Sequence, residues 1–386
     1  MLIGSFTINN TGLSFRDRII LRIIVWHYYL LNLFLMSFQR LLFSNKKILQ
    51  AKNILIFRTG SVGDSICALP AINSICKNFP TAKIDLLTNT GAENLVSLGA
   101  LIDKSIVSEI INYFHLEKKI LRERLKEKKY NLFIQLPQYD AGLIRQTRDI
   151  FIAKSLGVKF AFGWQVASTR FLAKQQSRLI NFENERNRLL NILTSNGLKN
   201  YGVKFNLGIT DEVKIKIKSL IEDKRLNEKD ENLGMVVGAK RPQNRWPIEY
   251  FNEVAKYLLD NGKNILLFGG KEDLELSKRI GGEKVFNYCG ELTPLETAEL
   301  MKYCKIIISN DTGPMHLAYA IDSRVIAIFS SRDYAGKWFP PKNNTTLRND
   351  GELCVNCFDE CMFENDCLKK INPKIVIEAL MQSLKR

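Results

Sequence analysis

The sequence lacks several signatures that would assign it to a large enzyme class. No G-x-G-x-x-G follows its first buried apolar run, and no G-x-x-x-x-G-K-[ST] occurs anywhere in the 386 residues. These absences argue against a nicotinamide-dependent oxidoreductase and a P-loop NTPase, because both classes hold phosphates on those glycines. No Asp-x-Asp pair ends a predicted strand either, so a carboxylate-held metal carrying a diphosphate is not indicated.

Internal repeats and low-complexity tracts are also absent, and only three histidines are present. With 46% hydrophobic residues, the composition is that of a folded protein, and the length suffices for two ordinary domains. The net charge of +16 indicates an acidic partner, such as a phosphorylated metabolite, an anionic lipid or a nucleic acid. The basic residues are not interleaved with aromatic ones in any run, which argues against nucleic acid.

The first fifty residues differ from the rest in being strongly apolar. Residues 18–43 read RIILRIIVWHYYLLNLFLMSFQRLLF, and on a helix their polar side chains share one side: Arg18, Arg22, Tyr29, Asn32 and Arg40. Three interpretations stay open: a helix lying in a membrane interface, a spanning helix, and a helix packed on the protein itself. We assign residues 1–50 to a membrane-associating segment that contacts an anionic membrane surface. A cleaved secretory signal is not favoured, because no small-x-small site follows.

From residue 51 onward, strand-like and helix-like segments alternate. We expect buried strands at 53–57, 83–88, 131–136, 232–240, 264–270, 284–290, 305–311 and 324–330. Helical spacing follows several of them, most clearly at 64–78, from about 91, and at 248–260, 271–280, 294–303 and 314–321. Such alternation twice over predicts an α/β protein with two Rossmann-like parallel-sheet domains facing each other across a cleft, at residues 51–205 and 206–386.

The loop after the first strand carries an acid in a glycine-rich setting. Residues 57–71 read FRTGSVGDSICALPA, where Gly60 and Gly63 permit a tight loop and Asp64 begins a helix. One interpretation is that Asp64 caps the helix N-terminus. The other is that it serves as a general base, because it follows a strand at the carboxyl edge of a parallel sheet.

Two loops of the second half carry further candidate side chains. In VVGAKRPQNRWPIEYF (236–251), Lys240 and Arg245 follow a strand directly and could neutralise a diphosphate, or form an ordinary solvated loop. In LLFGGKEDL (266–274), Glu272 could accept hydrogen bonds from ribose hydroxyls, or be an ordinary acid of a first helical turn.

The stretch SNDTGPMHLAYA (309–320) lies between a predicted buried strand and a predicted helix. It combines an acid, a hydroxyl, a Gly-Pro pair and one of the histidines at a helix N-terminus. Backbone N–H groups and the helix dipole at such a position favour an anion, for which phosphate is the natural candidate. Together, the three loops of the second half predict a nucleoside-diphosphate site.

In their order and spacing, FRTGSVGDSICALPA, NRWPIEYF and SNDTGPMHLAYA resemble glycosyltransferase family nine, the ADP-heptose:lipopolysaccharide heptosyltransferases. The resemblance covers about residues 52–385 and implies the GT-B arrangement, with inverting transfer and no cofactor required for catalysis. It implies that Asp64 is the catalytic base. The matching nucleotide-binding loop comprises Asp311, Thr312, Gly313, Pro314, Met315 and His316.

The function that follows is transfer of a sugar from a nucleoside-diphosphate sugar to a lipid-linked glycan. The resemblance favours ADP-heptose as donor and a lipopolysaccharide core or related surface glycan as acceptor. The location would be cytoplasmic, peripheral on the inner face of the cytoplasmic membrane. Two alternatives stay open: a transferase with a different donor, and a catalytically idle membrane-bound binder of nucleotide sugars.

One residue departs from the family pattern. Many members have lysine two positions before the Trp-Pro pair, where this chain has Asn244. We expect Lys240 or Arg245 to supply the missing charge. Together with N–H groups at residues 312–315, they would stabilise the leaving diphosphate.

The cysteines fall into two groups. Four are scattered through apolar segments, which favours a reducing compartment. The others lie in CVNCFDECMFENDC, residues 354–367, and are Cys354, Cys357, Cys361 and Cys367. This spacing is compatible with a structural zinc ion, with free thiols and with disulfides.

Overall fold

The computed structural model describes residues 6–9, 12–44, 48–89, 98–112, 117–226, 231–350, 355–358 and 360–385. The chain divides into two compact units, Met1–Asn206 and Leu207–Arg386. Each unit is built around its own parallel sheet, which confirms the predicted α/β class. The helix expected to begin near residue 91 falls in 90–97, outside the described residues.

The first unit contains a five-stranded sheet and a separate strand pair. Its strands are β1 Phe6–Ile8, β2 Asn53–Phe57, β3 Lys83–Thr88, β4 Glu109–Asn112, β5 Leu132–Gln135, β6 Phe160–Phe162 and β7 Ile180–Phe182. Its helices are α1 Phe15–Leu42, α2 Val62–Asn78, α3 Lys118–Glu127, α4 Leu143–Ser155, α5 Ala173–Leu179 and α6 Glu185–Ser195. The sheet order is β4-β3-β2-β5-β6, with all pairs parallel, while β1 and β7 pair antiparallel.

The second unit contains a six-stranded sheet. Its strands are β8 Asn232–Val236, β9 Asn264–Leu267, β10 Val285–Asn287, β11 Ile306–Asn310, β12 Arg324–Phe329 and β13 Thr345–Arg348. Its helices are α7 Asp211–Asp223, α8 Ile248–Asp260, α9 Leu274–Ser277, α10 Pro294–Met301, α11 Gly313–Ala320, α12 Asp366–Lys369 and α13 Pro373–Leu384. The order β10-β9-β8-β11-β12-β13 is parallel throughout.

The central strands are buried on both faces, which explains their continuous apolar runs. Ile54, Leu55 and Ile56 of β2 are fully buried, as are the three isoleucines of β11. A parallel sheet covered by helices on both sides requires such sequences, because neither face meets water. The helix predicted at 271–280 is shorter than expected: a 3₁₀ turn at Lys271–Asp273 leads into the single turn of α9.

Both sheets reverse their strand order at the centre. In the first, the chain runs from β2 outward to β4 and then returns to β5, on the other side of β2. In the second, it runs from β8 outward to β10 and returns to β11, beside β8. Open parallel sheets bind ligands at such reversals, beyond the carboxyl ends of the two central strands. The loops after β2, β8 and β11 therefore occupy the positions where a site is expected.

Helix α1 packs on the first unit by one face. Its buried residues are spaced by three, four or seven positions, which places them on one face: Leu21, Ile24, Tyr28, Leu35 and Gln39. By length and composition its 28 residues could also cross a membrane. Of the predicted polar stripe, Arg18, Arg22 and Arg40 are exposed, whereas Asn32 hydrogen-bonds Val166 of the first unit at both amide atoms.

Trp246 anchors the core of the second unit. It is 2% exposed, and its indole N–H donates to the carbonyl oxygen of Ile371 at 2.7 Å, joining the start of α8 to the segment before α13. Its ring packs edge-on against Phe251. The tryptophan therefore contributes both buried area and a satisfied buried carbonyl.

We expect Trp246→Ala to lower the free energy of unfolding by about 3–5 kcal/mol, because it opens a large cavity in a packed core. The measurement is thermal unfolding followed by circular dichroism. Trp26→Ala is the matched control, since Trp26 is 58% exposed on α1 and its loss should leave the midpoint unchanged. Equal midpoints for wild type and Trp246→Ala would contradict this account of the core.

Candidate functional site

Asp64 lies in the first turn of α2, immediately beyond β2. Ser61 is the N-cap residue, and its backbone N–H and hydroxyl donate to Oδ2 of Asp64 at 2.9 and 2.7 Å. Gly60 has a φ of +149°, and a Cβ there would lie 2.4 Å from the Cβ of Asp64. Only glycine therefore fits beside the carboxylate. The interpretation of Asp64 as the N-cap is wrong on the position: Ser61 is the N-cap, and Asp64 completes a capping box from the third helical position.

The second oxygen of Asp64 is available for another role. Oδ1 lies 3.6 Å from the Arg58 guanidinium, and the Asp64 side chain is 19% exposed. Arg58 also donates to the backbone oxygen of Asp64 at 2.9 Å. One carboxylate oxygen is thus fixed by the cap, while the other lies at the sheet edge beside a cation.

Arg58 belongs to a buried charge cluster that the sequence did not reveal. Its side chain is completely buried and lies 3.3 Å from Oε1 of Glu185, the first residue of α6. Glu185 also accepts from the Nε of Arg188 at 2.6 Å, and both of those side chains are completely buried. Arg58 further donates to the backbone oxygens of Leu136 and Pro137, beyond β5. The loops after β2 and β5 are therefore tied together beneath Asp64.

In the second unit, asparagine side chains connect the loops after three central strands. The amide N–H of Asn310, at the end of β11, donates to the Val237 oxygen after β8 at 2.8 Å, and its Oδ1 accepts from the Trp246 backbone N–H at 3.0 Å. Asn244 donates to the backbone oxygen and Oδ2 of Asp311, and accepts from the Ser330 hydroxyl after β12. These bonds fix the edge of the sheet as one framework.

Asn244, the departure from the family pattern, has a defined structural role. It is buried, and its amide bonds on both sides hold the loops after β11 and β12 together. A neutral amide supplies no cation for a diphosphate. The charge must come from other residues of the same edge.

Three cations that the sequence analysis did not select act electrostatically on Asp311. Burial and then the Asp333 carboxylate raise the pKa of Asp311 to about 7, although the charges of Arg332, Arg348 and Lys337 oppose this rise. Arg332 and Lys337 belong to the SSRDYAGKW loop directly after β12. The rule that candidate residues follow the ends of parallel strands would have found them.

Asp333 holds the loop after β12 in place. Its carboxylate accepts from Lys337 at 3.1 Å and from the Trp338 indole at 3.0 Å. Although burial opposes it, the Lys337 charge and these hydrogen bonds hold the pKa of Asp333 below its ordinary value. Asp333 therefore carries the negative charge that pushes the Asp311 pKa upward.

The N-terminus of α11 offers fewer N–H groups than the sequence analysis assumed. Pro314 has none, and the Met315 N–H bonds to the Thr312 oxygen. Thr312 and Gly313 therefore supply the N–H groups at this mouth. His316 is buried, and its Nδ1 lies 2.6 Å from the hydroxyl of Tyr319 on the same helix. Its side chain therefore stabilises α11 from the buried side of the helix.

The remaining candidates lie on the same sheet edge with different exposure. Lys240 and Glu272 are exposed after β8 and β9. Arg245 is half-buried, and its Nε donates to the Ala239 oxygen at 2.8 Å. Asp273, beside Glu272, is buried and accepts from the Gly270 N–H, so it shapes the loop while Glu272 stays accessible. A Cβ on Gly238 would lie 1.9 Å from the Asp273 carboxylate, so the loops after β8 and β9 meet at a glycine.

Three of the four late cysteines lie near one another. Burial, and then the neighbouring Cys361 and Cys367 thiols, raise the pKa of Cys357 to about 11. Within the described ranges, no group of three His, Cys, Asp or Glu side chains is placed to hold a metal ion, and no described cysteine forms a disulfide. Cys354 falls outside those ranges, so the four-thiol zinc site stays a prediction.

The pKa of Asp311 predicts how stability depends on pH. Between its ordinary value of 3.8 and about 7, the folded chain retains a proton that the unfolded chain has lost. The free energy of unfolding therefore falls as the pH rises through this interval. Asp311→Asn keeps an oxygen for Asn244 and removes the titrating charge. We expect it to be more stable than wild type at pH 8 by at least about 1.4 kcal/mol, one pKa unit.

The gain should shrink as the pH falls toward 4, because the unfolded chain regains its proton as the pH approaches the ordinary pKa of 3.8. Urea unfolding from pH 4 to pH 8 checks this expectation. Asp260→Asn, an exposed aspartate at the end of α8, is the control and should show no such trend. A pH-independent difference between Asp311→Asn and wild type would refute the electrostatic assignment.

Comparison with known proteins assigns the chain to a family. The model of glycosyltransferase family 9 (heptosyltransferase) matches residues 119–366. Lipopolysaccharide heptosyltransferase 1 of Escherichia coli O18:K1:H7 (strain RS218 / NMEC) is 24% identical over 338 residues, covering 81% of this chain and 97% of the relative.

Solved structures share the fold. ADP-heptose lps heptosyltransferase II of E. coli superposes with a TM-score of 0.62 at 21% identity, covering 86% of this chain and 98% of that one. The dodecameric iron-containing heptosyltransferase TibC, in complex with ADP-D-β-D-heptose, gives 0.54 at 10% identity, covering 87% and 76%. The fold is thus GT-B-like, as predicted, and the family match covers more than half of the sequence. This chain belongs to glycosyltransferase family 9, the heptosyltransferase family.

Proposed function

We propose that this glycosyltransferase moves heptose from ADP-heptose to a lipopolysaccharide core or related lipid-linked glycan, with inversion at the anomeric carbon. Relatives named as lipopolysaccharide heptosyltransferases and a solved relative bound to ADP-D-β-D-heptose support this donor and this acceptor class. The observation that carries the proposal is that the first unit has an anchored acid after β2 and the second unit has a cationic, N–H-lined edge after β8, β11 and β12.

The second unit binds the donor in this proposal. The N–H groups of Thr312 and Gly313 receive the diphosphate at the mouth of α11. Arg332 and Lys337, with Arg245 and Lys240 at the neighbouring loop, balance the charge that develops on the leaving ADP. Exposed Glu272 accepts hydrogen bonds from the ribose hydroxyls. The charges of Arg332 and Lys337 act on Asp311, whose carboxyl can bond to the sugar or to the bound anion in this proposal.

The first unit supplies the base. Oδ1 of Asp64 takes the proton from the acceptor hydroxyl as that oxygen attacks the anomeric carbon, and the bond to the diphosphate oxygen breaks on the opposite face. Arg58 is a positioning residue, because it fixes the carboxylate from below and is itself held by Glu185. Asp64 precedes the matched range 119–366, so its role rests on its place in the fold.

The proposal includes transfer without a metal cofactor. Its support is that cationic side chains occupy the edge where a metal would otherwise balance the diphosphate, and that the sequence has no Asp-x-Asp pair at a strand end. TibC, which shares the fold, is an iron-containing enzyme. Transfer activity is therefore to be measured both with and without excess chelator.

The lipid-linked acceptor places the enzyme at the inner face of the cytoplasmic membrane. A nucleotide sugar made in the cytoplasm and an acceptor anchored in lipid meet only at that surface. The net charge of +16 is compatible with an anionic membrane.

We expect ADP to stabilise the purified protein more than UDP, GDP or CDP at equal millimolar concentration. A nucleotide at a hundred times its dissociation constant adds about 2.7 kcal/mol to the free energy of unfolding. The measurement is the shift of the thermal midpoint. A shift with another nucleotide alone would exclude ADP-heptose as the donor but would leave the transferase assignment intact. No shift with any of the four nucleotides would contradict the proposed donor site.

We expect Asp64→Asn to lower kcat by about 10²–10⁴, the usual contribution of a positioned general base. The amide oxygen can still accept from Ser61, so the helix cap and the ADP-dependent thermal shift should persist. Asp103→Asn is the matched control, because Asp103 also caps a helical turn of the first unit. Transfer by wild type should be unchanged in EDTA. Full activity of Asp64→Asn would remove the assigned base.

A further inference from the structure

Helix α1 is fixed to the first unit by hydrogen bonds as well as by packing. The Tyr28 hydroxyl donates to Oε1 of Gln176 at 3.0 Å and accepts from the Thr169 N–H at 2.9 Å. The Asn32 amide bonds to both the N–H and the oxygen of Val166. Drawing α1 away into a bilayer would break all of these bonds and leave polar groups in hydrocarbon. The contacts therefore favour a helix that stays on the folded unit.

The opposite side of α1 is apolar and exposed. Exposed large apolar residues recur every three to four positions, with one longer step at the end: Phe15, Ile19, Ile23, Trp26, Leu30, Phe34 and Leu41. This spacing places them along one stripe of the helix, away from the buried face. A stripe of this length exceeds the scattered apolar residues that ordinary surfaces carry.

Helix α4 extends the stripe sideways. Phe34 stacks on Phe38 at 5.8 Å between ring centroids, and Phe38 meets Phe151 of α4 edge-on at 5.3 Å. Phe151 is 56% exposed, and Ile144, two helical turns earlier on the same side of α4, is 88% exposed. We call the exposed stripe of α1 together with Ile144, Phe151 and Ile152 the α1–α4 face. It is built from two elements of one folded unit.

The charges beside this face have one predominant sign. Arg16, Arg18, Arg22 and Arg40 are exposed on α1. The acid of α1, Asp17, is ion-paired with Arg178, and the acid of α4, Asp149, is buried and bonded to Arg148. An apolar stripe bordered by arginines is complementary to an anionic lipid surface, where the rings enter the interface and the guanidinium groups meet the headgroups.

We propose that the α1–α4 face docks the folded enzyme onto an anionic membrane, with α1 lying in the plane of the interface and not crossing the bilayer. This inference rests on the proposed function only in assuming that the acceptor is lipid-linked. It adds a specific surface to that function, and it requires a contribution from α4 that a spanning helix would not need.

The test is co-sedimentation of the full chain with vesicles of phosphatidylglycerol and phosphatidylethanolamine, against vesicles of phosphatidylcholine alone. Trp26→Ser/Leu30→Ser changes the α1 part of the face, and Ile144→Ser/Phe151→Ser changes the α4 part. We expect each pair to weaken binding to the anionic vesicles at least about tenfold. Ile215→Ser, an equally exposed apolar residue of α7, is the control and should bind as wild type.

Binding that survives Ile144→Ser/Phe151→Ser would overturn the proposal in favour of an anchor formed by α1 alone. Equal binding of wild type to both kinds of vesicle would overturn its electrostatic part. We expect wild-type protein bound to the vesicles to be released by alkaline carbonate, and retention there would indicate a spanning helix. The thermal shift with ADP serves as the folding control for every variant. Its absence in wild type would contradict the donor site while leaving the docking result valid.

Discussion

Parallel strands deliver all their carboxyl ends to one edge of a sheet, and the chemistry of this protein depends on that constraint. In the second unit it brings together loops from residues 237–247, 268–273, 311–314 and 330–338. Asn310 and Asn244 then convert neighbouring loops into one framework, because their amides bond across the strand ends. These hydrogen bonds fix the position of the N–H groups of α11 relative to the cations after β12.

A buried charge cluster has the corresponding role in the first unit. Burying Arg58, Glu185 and Arg188 is costly, and apolar residues of similar volume often stabilise a core as well or better. The cluster connects the loops after β2 and β5 to α6 beneath the candidate base. In the proposed mechanism the cluster holds the direction of the Asp64 carboxylate, because a general base must keep a fixed orientation toward its substrate. The raised pKa of Asp311 is a second case in which the site opposes stability.

The sequence predicted the strands that are buried on both faces and one edge strand, β10, but it did not predict the edge strand β13. The runs at 53–57 and 306–310 are continuous because helices cover both sides, and α8 has the predicted bounds. Strand β13 is half-buried and reads TTLR, so no apolar run marks it. The Arg58–Glu185 pair spans 127 positions, and no local pattern encodes such a contact. The position of Arg332 directly after the predicted strand β12 made it a candidate. Its neighbours Ser330 and Ser331 form no recognisable motif, so there was no further reason to select it from the sequence.

In the proposed mechanism, the Asp64 carboxylate of the first unit activates an acceptor for direct displacement of ADP from a donor that the second unit binds. The most direct measurement is the anomeric configuration of the transferred sugar, read by NMR from the product formed with ADP-heptose of defined configuration. We predict inversion, since a single displacement with Asp64 as base exchanges the two faces of the anomeric carbon. Retention of configuration would require a different reaction course and would contradict the assigned role of Asp64.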